Sequence, residues 1–394
     1  MNEGRRDARI GSRARNCDRT TTLHTGVETM KARFWVWFAL VAGLAVFGCS
    51  DDDDNGSGPD DNNEPEGEGV WVDEEAGGGF YARLDATAYD AYAYLSLADG
   101  EVVTVNDPMN DNGWDLAFSR YNGKLNGGIS GSAEVVGVDL DDIGHQHAMD
   151  YYALNEVPDV AEDEWEADAY DLMVGDNWYN YNPQTHEFSV NNNIFVLNDT
   201  DGNYAKFRFP TLEGGGMGNM GTITIEYVYN ADGSNDLNGD PVSVELDGSD
   251  GEIYFSFSEG GEVEVADRMS STAWDLYITG FDVYTNGGVS GPGDCAVYPM
   301  YQDEDDFEAV TMAPEGAPFF SDAVQSVFIG SVNETGSAWY EYNPQVHELV
   351  SKGHVYVIKA TDDKHYKLEI TNYYKEVDGE ADAGWVTMRY AALD

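Results

Sequence analysis

The sequence predicts an all-β protein made of two tandem antiparallel β-sheet modules, and three observations carry that expectation. Short segments rich in aromatic and β-branched residues recur, among them "AYAYLSL" (91–97), "EVVTV" (101–105), "NIFVLN" (193–198) and "TITIEYVY" (222–229), several alternating strictly. Asn-Gly and Asp-Gly pairs separate them at Asp99-Gly100, Asn122-Gly123, Asn126-Gly127, Asp201-Gly202 and Asn286-Gly287. These pairs accept the positive φ that a tight hairpin demands. Finally, "WDLAFSRYNGKLNGGISG" from Trp114 returns as "WDLYITGFDVYTNGGVSG" from Trp274. The best helical candidate, "DEWEADAYDLM" from Asp163 to Met173, is short and poorly patterned.

The repeat reaches well beyond that phrase. "AYLSLADGEVVTVND" (93–107) lies over "IYFSFSEGGEVEVAD" (253–267), and "WYNYNPQTHEF" from Trp178 over "WYEYNPQVHEL" from Trp339. Further on, "DGNYAKFRF" (201–209) matches "DDKHYKLEI" (362–370), and "ITIEY" (223–227) matches "VTMRY" (386–390). A repeat of this period means duplicated structural units, here of a size that suits one domain each. The expected modules are residues 70–230 and 241–394, with 231–240 as linker.

Ahead of the modules lie three segments of different character. Residues 1–29 are Arg-rich, lack apolar periodicity and read as an over-extended start. Residues 30–48 combine Lys31 and Arg33 with an apolar run from Phe34 to Phe47 and end at Gly48, before Cys49. The run is short for a membrane span, and the pattern reads as a bacterial lipoprotein signal with Cys49 lipidated; an ordinary secretory signal or a short anchor helix are the alternatives. Ser50 beside Cys49 favours outer-membrane sorting. Residues 49–69, "CSDDDDNGSGPDDNNEPEGEG", are too polar to bury a core and are expected to form a solvated tether.

Charge and cysteine content exclude several classes of function. Removing residues 1–48 takes away 8 basic and 4 acidic residues, leaving 12 Lys and Arg against 70 Asp and Glu, a net charge of about −58. Nucleic acid is therefore excluded as a partner, and membrane contact rests on the lipid anchor. With Cys17 and Cys49 outside the modules, Cys295 has no disulfide partner and reads as a buried small hydrophobe. In the repeated phrase, Trp114 and Leu116 are expected on one strand face and Asp115 on the other, with the glycines turning the chain where side chains do not fit. It is not a nucleophile elbow, because Gly131 follows Ser130 directly and no helix follows. The acidic stretch "NADGSNDLNGD" (230–240) fails the EF-hand pattern, with Leu237 where that loop needs glycine. Nucleophile, base and orienting partner cannot be assembled from these motifs, so an enzyme is not expected.

The "WDLAFSRY" strand, the "LNGGISG" turn, the "WYNY" strand, "FVLNDTDGNYAKFRF" and the final "TITIEYVY" together resemble the HmuY-like family, twice over, across residues 90–230 and 250–392. That resemblance implies all-β bacterial surface lipoproteins, whose founding members bind haem and pass it to an outer-membrane receptor for iron uptake. It further implies two axial donors from separate segments, facing each other across a slot. In module 1 the first segment holds His145, His147 and Met149 in "GHQHAMDYY", and the second holds His186 in "YNPQTHEF"; the preferred pair is His147 with His186. Module 2 keeps His347 but has no histidine between Gly291 and Trp339, leaving Met300 or Met312, so it reads as a non-binding copy. Arg120 and Lys124 are the candidates to reach the haem propionates.

Other readings of these residues stay open. His186 and His347 could simply hydrogen-bond their turns, and a His-x-His pair could hold Zn²⁺ or Cu²⁺ with a carboxylate. His354 and His365 read as ordinary strand histidines. A non-catalytic surface interaction module that keeps the fold without a cofactor is the competing function.

Overall fold

The computed structural model describes residues 69–75, 78–143, 150–214, 220–300, 306–329, 338–377 and 380–394. His145, His147 and Met149, like Cys49 and the signal segment, lie outside these residues. Among the described residues the regular structure is antiparallel β with short 3-10 turns, and no helix is long and apolar enough to cross a membrane.

Two sheets repeat the same plan. One runs, in spatial order, Trp71–Glu74, Phe80–Asp85, Glu380–Ala392, His365–Val377, Val355–Lys359 and Val136–Asp139. The other runs Val242–Asp247, Thr222–Asn230, Tyr204–Glu213, Ile194–Asn198 and Ala296–Met300. Each is accompanied by a four-stranded sheet: Glu101–Val103, Ala93–Ser96, Leu116–Ser119 and Asn122–Leu125 in one case, Gly261–Glu262, Glu252–Ser256, Leu276–Thr279 and Asp282–Thr285 in the other.

Both large sheets mix strands from the two sequence repeats. Phe80–Asp85 and Val136–Asp139, from the first repeat, pair with Glu380–Ala392 and Val355–Lys359 from the second. Reciprocally, Thr222–Asn230 pairs with Val242–Asp247, and Ile194–Asn198 with Ala296–Met300. The hydrophobic cores obey the same division. One joins Leu84, Leu95, Leu116 and Phe118 to Phe328, Trp339, Tyr356, Leu368 and Met388, and the other is drawn wholly from residues between Met173 and Val297. Each fully buried Leu, Ile or Phe contributes about 1.5–3 kcal/mol, so the exchanged pairing is held by dozens of such side chains and not by the ladders alone. The first half of one repeat is thus completed by the second half of the other.

The chain crosses between the two cores at Ala169–Asp171 and crosses back at Ala323–Gln325, and these two strands pair with each other, Tyr170 opposite Val324. The weak helical candidate at Asp163–Met173 lies at a single 3-10 turn, Glu162–Glu164, followed by this crossing strand. Its local pattern was too weak to resist the β pairing.

The repeated glycine turns are the clamps that receive the crossings. Ile129 and Leu125 donate their backbone N–H groups to Asp168, at the carbonyl (3.0 Å) and at Oδ2 (3.0 Å). Val289 and Thr285 do the same to Asp322, at 3.0 and 2.8 Å. A Cβ on Gly128 would lie 1.9 Å from the Asp168 carbonyl, and one on Gly288 equally 1.9 Å from that of Asp322, so the close approach demands glycine. Asn126 and Asn286 brace the turns from inside, each donating Nδ2 to the carbonyl of Trp114 or Trp274 at 2.8 Å.

One expectation about the phrase needs correcting. Trp114 and Leu116 do not share a face: the strand begins at Leu116, so Leu116 and Phe118 enter the main core while Trp114 packs with Tyr94 and Ala117. Asp115 is fully buried and accepts the N–H groups of Leu97 (2.6 Å) and Thr361 (2.7 Å), which offsets the cost of burying its carboxylate. In the stretch expected to link the modules, Leu237 is buried against Ile194, Val196 and Phe307. Cys295 is buried as expected, and burial, with Asp275 nearby, pushes its thiol up to about 12, leaving it inert.

Candidate functional site

The two histidine hairpins, Tyr179–Asn182 with Glu187–Val190 and Tyr340–Asn343 with Glu348–Ser351, share one geometry. In the first, Asn182 Oδ1 accepts the N–H groups of Gln184 and Thr185, while the Asn182 carbonyl accepts that of His186 at 2.8 Å. The turn closes with His186 at φ +58°, and its counterpart His347 stands at +61°. Histidine is among the few non-glycine residues tolerated in that left-handed region. Each imidazole is oriented by a tyrosine across the hairpin, Nδ1 of His186 lying 2.6 Å from the Tyr181 hydroxyl and Nδ1 of His347 beside the Tyr342 hydroxyl. Where Nδ1 carries the proton and donates, Nε2 is an exposed lone pair.

Behind His186 an aromatic ladder runs inward from the hairpin. Tyr181 packs on Phe188, and Phe188 stacks on Phe281 with centroids 4.1 Å apart and planes 5° from parallel. Phe281 in turn contacts Tyr179 and the buried Trp178. Phe281 belongs to the second repeat, so this surface too is assembled by the exchange. Trp178 locks the arrangement by donating Nε1 to the Phe281 carbonyl, 2.9 Å away. At the other hairpin Trp339, Tyr340 and Tyr121 take the equivalent places, and Leu349 replaces Phe188.

The cations expected near the propionates are both engaged. Arg120 Nη1 donates to the carbonyls of Thr87 (3.2 Å) and Ala383 (3.0 Å), and its guanidinium covers the Tyr89 ring at 4.8 Å. Lys124 is buried, its ammonium 3.9 Å from the Tyr92 ring centre and within reach of Tyr94 and Trp114. Burial lowers it to about 8, opposed by the charge of Asp168. Asp168 is itself raised to about 7 by burial, which the Leu125 N–H and the Lys124 charge only partly offset.

The segment holding His145, His147 and Met149 is bracketed by described residues of one core: Ile143 and Tyr151 pack in the same group as Val138, Val355 and Val357. Val355–Lys359, which pairs with Val136–Asp139 ahead of that segment, follows the His347 hairpin in the chain, whereas His186 stands with the other core, whose exchanged partner strand ends at Met300. Met312 is exposed, bridging backbone to backbone with Asp236. His365 opens a strand and sets its ring edge-on to Trp165, and His354 bonds Asp139 across a ladder, at 2.7 Å. Sequence reasoning passed over Asp139, 215 positions away from His354, because only the strand exchange brings the two together.

This architecture is an all-β scaffold, duplicated and interlocked, that presents a tyrosine-oriented histidine at the tip of one hairpin per core. The chain belongs to the HmuY family, whose profile matches residues 88–227 and again 249–390. Similar solved structures include a candidate HmuY-like haem-binding protein of Bacteroides vulgatus (12% identity, 82% of this chain and 96% of that one, TM-score 0.29). Others are a candidate lipoprotein of Bacteroides fragilis (14%, 81% and 93%, TM-score 0.29) and an apo HmuY analogue of Tannerella forsythia (10%, 84% and 99%, TM-score 0.28). No curated protein matches the chain.

Proposed function

We propose that the protein is a non-enzymatic, surface-displayed lipoprotein, anchored in the outer membrane through Cys49, that binds haem or a related tetrapyrrole and serves iron acquisition. The observation that carries the reading is the hairpin histidine in both cores, its Nδ1 oriented by a tyrosine and, at His186, a stacked aromatic shelf behind it. Imidazole is a ligand that haem iron accepts, and a flat apolar macrocycle suits an aromatic wall. When bound, haem would supply the iron centre, and the chain's contribution is to position the donors and shield them from water.

The exchange revises the donor pairing. The proposed partner of His147, with His145 or Met149 as substitutes, is His347 in place of His186, because Val136–Asp139, just ahead of that segment, pairs with Val355–Lys359, which follows the His347 hairpin in the chain. His186 is then paired with Met300 or Met312 of the other half. Arg120 and Lys124 are committed to carbonyls and aromatic rings, so the propionates of a bound haem would face solvent. An outer-membrane receptor is the proposed recipient.

Haemin titrated into residues 70–394 tests the reading by its Soret band. A bis-histidine spectrum lost in His347→Ala and kept in His186→Ala supports the revised pair, and the reverse result restores the original one. No shift in the parent protein favours the competing reading, a surface interaction module in which the Tyr181 and Tyr342 bonds merely fasten the hairpin turns.

A further inference from the structure

A second donor cluster lies away from the hairpins, at the edge of the six-stranded sheet. Val136–Asp139 pairs with Val355–Lys359 with Asp139 opposite Tyr356 and Val138 opposite Val357. The ladder continues through a bond from Leu140 N–H to the Val355 carbonyl (3.1 Å), which sets Asp141 opposite His354. Because side chains alternate along a strand, Asp139, Asp141, His354 and Tyr356 share one face.

That face is built as a pocket of donors. One potential ligand atom from each of Asp139, Asp141 and His354 lies within 4.8 Å of the others. Asp139 is only 4% exposed, and its Oδ2 meets His354 Nδ1 at 2.7 Å. Asp141 Oδ2 is fixed by the Val355 N–H, and Asp139 Oδ1 by that of Asp141. Tyr356 is fully buried, with its hydroxyl turned toward the Asp139 carboxylate.

The other core supplies an internal control. Its corresponding ladder joins Ile194–Asn198 to Ala296–Met300, with Phe195 opposite Pro299 and Asn193 in the place of His354. The same corner of the same fold therefore closes without these donors, and their presence in one copy is not a demand of the fold.

We propose that Asp139, Asp141 and His354 form a binding site for one divalent transition-metal ion of the zinc type. Two carboxylates and one imidazole are the oxygen and nitrogen donors such ions accept, whereas imidazole disfavours Mg²⁺ and Ca²⁺. In the metal-free chain the proton shared between His354 and Asp139 holds the two together; the ion replaces that proton, which leaves to solvent. The Tyr356 hydroxyl is placed to donate to the Asp139 oxygen that the ion does not use. The site is distinct from the hairpin histidines and independent of haem.

Zn²⁺ titrated calorimetrically into residues 70–394 tests this, with excess Mg²⁺ to saturate the acidic surface and in a His145→Ala, His147→Ala background. One tight equivalent is expected, weakened at least tenfold by Asp141→Asn and by His354→Asn, the latter installing the residue found at the matching place in the other core. Zn²⁺ should raise the melting temperature of the parent and not of the variants. Equal affinity and stoichiometry in parent and variants, or binding that Mg²⁺ abolishes, overturns the proposal. Melting of the metal-free variants shows whether they fold, and either substitution alone suffices to decide.

Discussion

Trp339 donates its indole N–H to the carbonyl of Tyr121, 218 positions earlier, at 2.9 Å. Trp178, the matching residue of the first repeat, makes the same bond at the same length to Phe281, 103 positions later. Neither indole N–H bonds within its own repeat, and the pair states the exchange of halves in two contacts.

The exchange is open to direct chemical trapping. Val136 lies opposite Lys359, whereas a module closed upon itself would put Val136 opposite Asn198, the counterpart of Lys359. Val136→Cys with Lys359→Cys is expected to form a disulfide within the monomer, and Val136→Cys with Asn198→Cys is not. Mass spectrometry of the oxidised variants reads the outcome, and the opposite pattern would falsify the exchanged pairing.

Truncating either buried tryptophan should be severe. Trp178 and Trp339 are each 1% exposed, and each ties a hairpin to a turn of the other repeat. Replacement by Ala is expected to cost about 3–5 kcal/mol in denaturant unfolding. Trp339→Ala should loosen the core that includes Leu116 and Met388 and leave the Met173–Val297 core closer to native, as hydrogen exchange would report.

Gly128 should tolerate no side chain. Gly128→Ala would drive a Cβ to 1.9 Å from the Asp168 carbonyl at φ +60°, so the crossing strand must shift. Gly202→Ala is the control: φ is +82° there but nothing lies within 4 Å of the added carbon. The control is expected to lose about 1–2 kcal/mol from backbone strain alone, and Gly128→Ala clearly more. Equal melting temperatures for the two variants would refute the clamp.

Stability should fall as the pH rises from the acid side toward neutrality. Burial raises Asp168 from 3.8 to about 7 and Asp275 from 3.8 to about 6, so the folded protein holds protons that the unfolded chain releases. The contribution is fully present below pH 3.8 and is lost as pH climbs through 6 and 7. Lys124, lowered from 10.5 to about 8, acts in the opposite sense and restores stability between those values. Asp168→Asn is expected to flatten the decline by a few kcal/mol, measured as melting temperature against pH.

Much of this was legible in the sequence, and the missing part has a physical reason. Strand-forming segments, Asn-Gly turns and the duplication itself follow from local pattern, and so does the glycine turn around Gly128. The partner of each strand does not. Phe195 and Tyr356, or Leu84 and Leu246, offer nearly the same hydrophobic face at the same register, so either half completes either core. The choice is made at the crossing strands Ala169–Asp171 and Ala323–Gln325, three residues each. The metal cluster was illegible for the same reason, since His354 and Asp139 meet only after that choice. Trp114 misled because a strand pattern was extended two residues beyond the point where the strand begins.

The nesting of one core inside the other also sets an order of events as the chain emerges during synthesis or export. The apolar residues of the inner core all lie between Met173 and Val297, while the outer core waits for Tyr390, near the end of the chain. A polypeptide wired this way closes its middle first and keeps its leading segments open until the very last strand arrives. Those exposed edges must survive the interval, and the dense negative charge that repels neighbouring copies gives them the means.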